Sequence, residues 1–518
     1  MSNVVFGDYT PPPQPKGTVD IRIGVFFDGT QNNRTNTNAR LGKEGDKGNK
    51  AYIKMSDKKT DSYTNDYSNI ARKELHYKKE KYVDSVYIEG IGTDDLGVDT
   101  DDKSDHLGVA FGADKQGIIV KVRRGCKLIA EKIKKISDRN KIDTITFDVF
   151  GFSRGSAAAR NFIYELSKSR YSPLDRTKTV GTGSIKIKTD DHNVETTEKE
   201  FPKNGHLGLQ LKLKGIEYLR INIRFVGIYD TVSSYDPNAT NTTINPDFKN
   251  DVKELHLNSL NLEINDLFKA KKIIHFCAAD EHRKNFMLTP TKRAGGHDFY
   301  LPGVHSDIGG CYTDKMDEDN FQIMDLDNYW GDGRSDDDWD EILNNDLKDL
   351  AAQGWGFTTV RKPDSDHQTH MTRKGIRNTY SFVTLHLMAE KLNLEYAGTI
   401  QMTDLNKYFG IPKPATPSEL DLDKVKKRLE KYINGKLPKM TYYTKPQIEH
   451  MRKKLDLKNP KDVESFKIKV YDHNILTKLR SKYIHWNSKF GDGIGAYEPN
   501  YKISGKTIIR FRKIEPNS

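Results

Sequence analysis

Cysteine is scarce: three in 518 residues, Cys126, Cys277 and Cys311. Their spacing forms neither a disulfide framework nor a zinc site. No run of about 18 apolar residues occurs, which sets aside a membrane-spanning helix. The chain opens without a basic patch or an apolar stretch, so no cleavable secretory leader is expected. Internal repeats and low-complexity tracts are missing too. The excess of positive charge is small, +11 from 84 basic and 73 acidic residues, and does not point to nucleic acid. Apolar residues make up only 35%, yet 22 Phe and 25 Tyr argue against a disordered chain.

Charge is spread unevenly. Residues 311–350 hold 14 acidic against 3 basic side chains, and residues 441–518 hold 17 basic against 8 acidic. The acidic stretch, rich in Asp, Asn and Gly, reads as a long loop. Pro11-Pro12-Pro13 lies in a loose arm. From there the pattern alternates. Strands are predicted at Ile21–Phe27, Val83–Ile91 and Ile142–Phe150, and helices at 66–76, 115–136 and 156–166. Residues 31–59, polar and Gly-containing, read as a surface loop or insertion. Further strands are predicted at Ile221–Tyr229, 272–278 and 298–304, and a helix at 380–392. Thr416-Pro417-Ser418-Glu419 resembles a capping box opening a helix that stops at Gly435. Alternation of this kind predicts an α/β fold: a mostly parallel sheet covered by helices, with insertions and an α-rich C-terminal region.

Gly151-Phe152-Ser153-Arg154-Gly155 carries the strongest chemical signal. It fits G-x-S-x-G between a strand and a helix of small residues, the nucleophile elbow of α/β-hydrolases. Gly151 and Gly155 make room for a turn that exposes the Ser153 hydroxyl. A serine needs a base and an orienting acid, in the order Ser, acid, His along the chain. Asp230 ends a predicted strand, and His305 lies in the glycine-flanked loop 303–310. Asp236, Asp280, His275, His282 and His297 are the competitors. An oxyanion hole needs two N–H donors. One is expected from Arg154 and the other from Gly29 or Thr30, in a loop braced by Asp28.

Six segments, in order, resemble the Tle1 family, type VI secretion lipase effectors with an α/β-hydrolase core. They are Phe26–Asn33, Gly90-Ile91-Gly92-Thr93, the 151–155 elbow, Gly227–Val232, Ala279-Asp280-Glu281-His282-Arg283 and Pro302–Gly310. The resemblance covers about residues 20–312, with a faint echo at Tyr483-Ile484-His485-Trp486. It implies phospholipase A activity and a triad of Ser153, Asp230 and His305, the same residues that the elbow and strand ends point to. No cofactor and no metal are expected. The resemblance further implies a phospholipid membrane as target, a cognate immunity protein and a secretion-machine partner. Such a protein is made in the cytoplasm and delivered into a rival cell by the type VI system. One departure is Ser156, where the family usually has Ala.

The expected organisation is a flexible arm (1–19), a catalytic core (20–312), an acidic loop or lid (313–350) and a C-terminal accessory region (351–518). The alternatives are a soluble carboxylesterase on a small ester, or a metal-dependent hydrolase using His305 and Asp307 with Asp28 and Asp230. Calcium is a further candidate at residues 311–350, although Asp325–Trp330 lacks the loop spacing. Asp148, inside a central strand, calls for a buried partner, for which Arg160 is the candidate. The basic tail, through Arg452, Lys453, Arg510 and Arg512, is expected to meet anionic lipid.

Overall fold

The structure, a computed structural model, describes residues 17–56, 61–99, 117–138, 140–180, 183–192, 194–233, 270–326, 334–357, 359–361, 367–490 and 497–515. Its strands are β1 Thr18–Phe27, β2 Val83–Ile88, β3 Lys141–Phe152, β4 Leu174–Val180, β5 Gly183–Thr189, β6 Tyr218–Tyr229, β7 Ile273–Ala278 and β8 His297–Leu301. Six of them form one sheet in the order β2-β1-β3-β6-β7-β8, and every pair is parallel. The carboxyl ends of all six therefore lie along one edge.

Residues alternate across the faces of β3, and buried apolar side chains lie on both, with the charged Asp148 buried among them. Ile142, Ile145, Phe147 and Val149 belong to one buried cluster, with the helices Ile118–Ser137, Arg154–Ser167 and Gly205–Leu213. Phe150 and Phe152 belong to a second, with the helices Tyr380–Glu395, Leu422–Ile433 and Pro460–Lys482. A parallel sheet covered on both sides needs such doubly apolar strands. The predicted α/β architecture is the one observed, and the C-terminal region is mostly helical, as expected.

Four local expectations are corrected. Residues 31–59 are not a plain loop: helices Arg34–Arg40 and Gly45–Ser56 form there, the first capped by the Asn33 side chain. The acidic stretch 311–350 is not a plain loop either. It holds strand β9 Met316–Asp325 and most of the helix Asp336–Ala352. β9 pairs with β11 Gln368–Ile376, which also pairs with β10 Thr359–Arg361. Three consecutive aspartates, Asp336–Asp338, sit in that helix's first turn, where negative charge suits the helix dipole. Part of the calcium candidate, residues 327–333, lies outside the described residues. The box Thr416–Glu419 does not open a helix. The helix starts at Leu422, capped by Asp421, whose carboxylate accepts from Asp423 and Lys424 N–H. Asp148 pairs not with Arg160 but with Arg224, whose Nε lies 2.8 Å from Oδ1, and with the Tyr77 hydroxyl at 2.7 Å. Arg160 instead donates to the carbonyls of Thr289 and Pro290. Among the described residues no helix is long and apolar enough to cross a membrane.

Candidate functional site

β3 ends at Phe152, and Ser153 turns the chain into the helix Arg154–Ser167. Ser153 has φ 59° and ψ −130°, a conformation that a side chain adopts only under constraint. The constraint is close packing. A Cβ on Gly155 would collide with the carbonyl oxygens of Phe27 and Asp28, and one on Gly151 with the backbone of Gly155 and Ser156. The glycines thus let the helix start against β1 and β3. Ser156 is buried, and its hydroxyl donates to the Tyr229 carbonyl at 2.9 Å, so the departure from Ala is accommodated.

β6, next to β3, ends at Tyr229, and Asp230 follows with φ 44°. The short helix His305–Gly309 follows β8 and Pro302-Gly303. His305 Nδ1 and Asp230 Oδ2 are 2.5 Å apart, and both residues are buried. The imidazole lies between two rings. Phe152, the residue before Ser153, is 4.7 Å away between centroids, and Phe286 is 4.9 Å away. Parallel strands separated in sequence by tens of residues thereby bring Ser153, Asp230 and His305 to one edge of the sheet.

Burial alone would raise the Asp230 carboxyl. Arg512 and His305 outweigh it and hold the group below the usual carboxylate range. Burial also pushes the His305 imidazole below its ordinary value, with Asp230 pulling it back up and Arg283 adding to the lowering. The result is a neutral ring at physiological pH, hydrogen-bonded through Nδ1, the state a general base requires.

The loop after β1 lies beside the elbow, because Phe27 pairs with Gly151. Asp28 braces it: Oδ1 accepts from Gly29 N–H at 2.7 Å, and Oδ2 from the hydroxyls of Ser68 and Tyr87 at 2.8 and 2.6 Å. Gly29 N–H is therefore committed. The Thr30 hydroxyl is enclosed without a partner, which leaves Thr30 as the better placed donor from this loop. Arg154 N–H opens its helix, where the first amides lack intrahelical acceptors.

The competitors are engaged elsewhere. His275 is held by Asp298 at 2.7 Å and by Thr231 N–H at 3.0 Å. Asp280 accepts from Gly303 N–H and Arg480, both at 2.7 Å. His282 contacts the Ser488 hydroxyl, and burial lowers its pKa to about 4. His297 is exposed, and Asp236 lies outside the described residues. The four residues of the metal alternative do not converge. Asp307 is turned to His485, at 2.7 Å from Nδ1, and Asp28 to its hydroxyl donors. Among the described residues, triplets of metal-type donors occur at His275/Cys277/Asp298 and Glu165/Asp191/His192. The second is already bridged by the Lys168 ammonium.

Two contributors escaped the sequence reading. Glu281 accepts from His305 N–H at 3.2 Å and from Arg283, fastening the segment that carries His305. It lies inside a quoted motif, but nothing in the motif singles it out. Arg512 donates to both oxygens of Asp230, at 2.6 and 2.9 Å. Arg512 and Arg510, expected at a lipid surface, instead turn their side chains inward into ion pairs, only 8% and 9% exposed, Arg510 with Asp346 at 2.6 Å. No local signal marks either role.

A parallel sheet carrying a serine elbow, an acid and a histidine at its carboxyl edge defines an α/β-hydrolase-like protein. Comparison with known proteins narrows this. The model of the type VI secretion system phospholipase effector Tle1-like catalytic domain matches residues 22–330, and the chain belongs to that family. A solved structure, "Structure of the Tle1 effector bound to the VgrG spike from the Type 6 secretion system", is 18% identical with a TM-score of 0.50. The match covers 99% of this chain and 97% of that one. An uncharacterized protein from Pseudomonas aeruginosa is 14% identical over 91% of this chain and 65% of its own, with a TM-score of 0.33. No curated protein sequence matches.

Proposed function

We propose that this chain is a serine esterase of phospholipase A type, acting on acyl esters of membrane phospholipids. The observation that carries the reading is the buried Asp230–His305 pair beside the constrained Ser153 elbow. Ser153 Oγ attacks the ester carbonyl carbon while His305 Nε2 takes its proton. Asp230 holds the Nδ1–H tautomer and stabilises the imidazolium. Arg154 N–H and Thr30 hold the oxyanion. His305 returns the proton to the leaving lysophospholipid alcohol. Water, deprotonated by His305, then releases the fatty acid. Family membership supports a phospholipid substrate and type VI delivery, and the similar effector solved on a VgrG spike supports such a carrier; a cognate immunity protein in the producing cell belongs to the same proposal. Residues 20–312 are read as the catalytic core and 351–518 as an accessory region for membrane or partner.

The test is incubation with defined phospholipid vesicles and identification of the released lysolipid. Ser153→Ala should fold as the parent and lose activity by on the order of 10⁶. Fluorophosphonate should label the parent at Ser153 and not the variant. Undiminished hydrolysis by the variant would refute the nucleophile.

A further inference from the structure

Asp230 is fully buried, and its carboxylate has about four lone-pair sites to satisfy. All four are met. Oδ1 accepts from Ala278 N–H at 2.8 Å and Arg512 Nη1 at 2.6 Å. Oδ2 accepts from Arg512 Nη2 at 2.9 Å and pairs with His305 at 2.5 Å. The Arg512 side chain is 8% exposed. Its Nε donates to the Phe286 carbonyl at 2.8 Å, and the Phe286 ring packs on His305. One guanidinium thus grips both the acid behind the imidazole and the segment that walls it in.

Arg512 arrives from 282 residues downstream of Asp230, on a tail built into the fold. β12 Tyr501–Ser504 and β13 Thr507–Arg510 form a hairpin. Leu288 N–H donates to Lys513 O at 3.0 Å, and Glu515 N–H to Leu288 O at 2.9 Å. Thr289 N–H in turn donates to Thr231 O at 3.0 Å, next to the acid. Arg510 anchors the tail on Asp346 of the acidic helix.

We propose that Arg512 is a positioning residue for the Asp230–His305 pair, so that a docked C-terminal tail is a condition of an assembled active site. The proposal rests on the triad reading above. A bidentate guanidinium fixes the plane of the carboxylate, which a single ammonium cannot do. It also sets the charge around the base. Asp230, Glu281 and Arg283 face His305, Arg512 lies behind Asp230, and Asp307, two residues on, is turned to His485. Without Arg512 this set loses a positive charge, imidazolium is favoured, and the base protonates at higher pH.

The experiment compares Arg512→Gln and Arg512→Lys with the full-length parent on p-nitrophenyl butyrate across pH. Folding is followed by circular dichroism. Arg512→Gln should lose turnover on the order of 10²-fold, the cost of a misplaced catalytic group. The acidic limb of its kcat/KM profile should move to higher pH. Arg512→Lys should keep the parental limb and recover part of the turnover, and millimolar guanidinium should partly rescue Arg512→Gln. A loss of activity that follows only the loss of folded protein, with the limb unmoved, would overturn the proposal. If Arg512→Gln does not fold, Arg512→Lys decides: reduced kcat with KM unchanged supports the role, and parental kcat sinks it. Activity surviving in Ser153→Ala would instead overturn the triad itself, and with it this proposal. An inactive Ser153→Ala beside a parental Arg512→Gln would remove Arg512 alone.

Discussion

Asp28 offers a measurable link between the loop proposed to hold the oxyanion and stability. It is 2% exposed, and burial raises its carboxyl from 3.8 to about 6 despite the Ser68, Tyr87 and Gly29 donors. The native state therefore holds this proton more tightly than the unfolded chain. Below about pH 4 the group is protonated in both states and costs nothing. As pH rises through about 6, the unfolded chain ionises first and stability is lost. The gap of about two units corresponds to about 3 kcal/mol at neutral pH. Asp28→Asn removes the charge and keeps the shape. Oδ1 can still accept from Gly29 N–H, and the Ser68 and Tyr87 hydroxyls can rotate to accept from the new amide. The stability difference between variant and parent should shift by about 3 kcal/mol in the variant's favour between about pH 4 and pH 7. Urea unfolding of both proteins at several pH values measures it. A difference that stays constant across that range would refute the assignment of a buried, charge-disfavouring site.

Two further outcomes follow from the same reasoning. Asp148→Ala leaves the Tyr77 hydroxyl without its acceptor and Arg224, whose side chain is 12% exposed, without its carboxylate, and should cost about 3 kcal/mol in denaturant unfolding, the lower end for a broken buried pair; a loss below about 1 kcal/mol would show the pair to be idle. In the basic C-terminal region, Arg452 is 68% exposed and Lys453 is exposed, unlike Arg510 and Arg512. Binding to phosphatidylglycerol vesicles should exceed binding to phosphatidylcholine and weaken with salt. Reversing Arg452 and Lys453 should reduce it by roughly 1 kcal/mol per residue; equal binding to both vesicle types at low salt would dismiss a lipid role for this face.

Much of the core was legible because its signals are local. β3 announces itself by apolar residues on both faces, and Gly151–Gly155 by small residues where the backbone of Phe27 and Asp28 presses on the turn. Asp230 directly follows β6, and His305 opens the short helix that follows β8, in the serine–acid–histidine order expected of an α/β-hydrolase. Helices at 31–59 were less legible, since short polar helices lack a clear apolar stripe and depend on caps such as Asn33. Residues 311–350 misled for a related reason: their Asp content suits loops and helix N-termini alike, and pairing between β9 and β11 is a long-range event.

What the amino-acid sequence determined by itself was the alternation of elements, the tight glycine-flanked turn at Ser153 and the chain order of Ser153, Asp230 and His305. Tertiary structure alone decided which charges meet. Arg224 rather than Arg160 neutralises Asp148, Gly29 rather than Thr30 is spent on Asp28, and Arg512 leaves the surface to clamp Asp230. The physical reason is that periodicity and turn chemistry act over a few residues. The partner of a buried charge is chosen instead by the desolvation it would suffer alone, and it can come from anywhere along the chain.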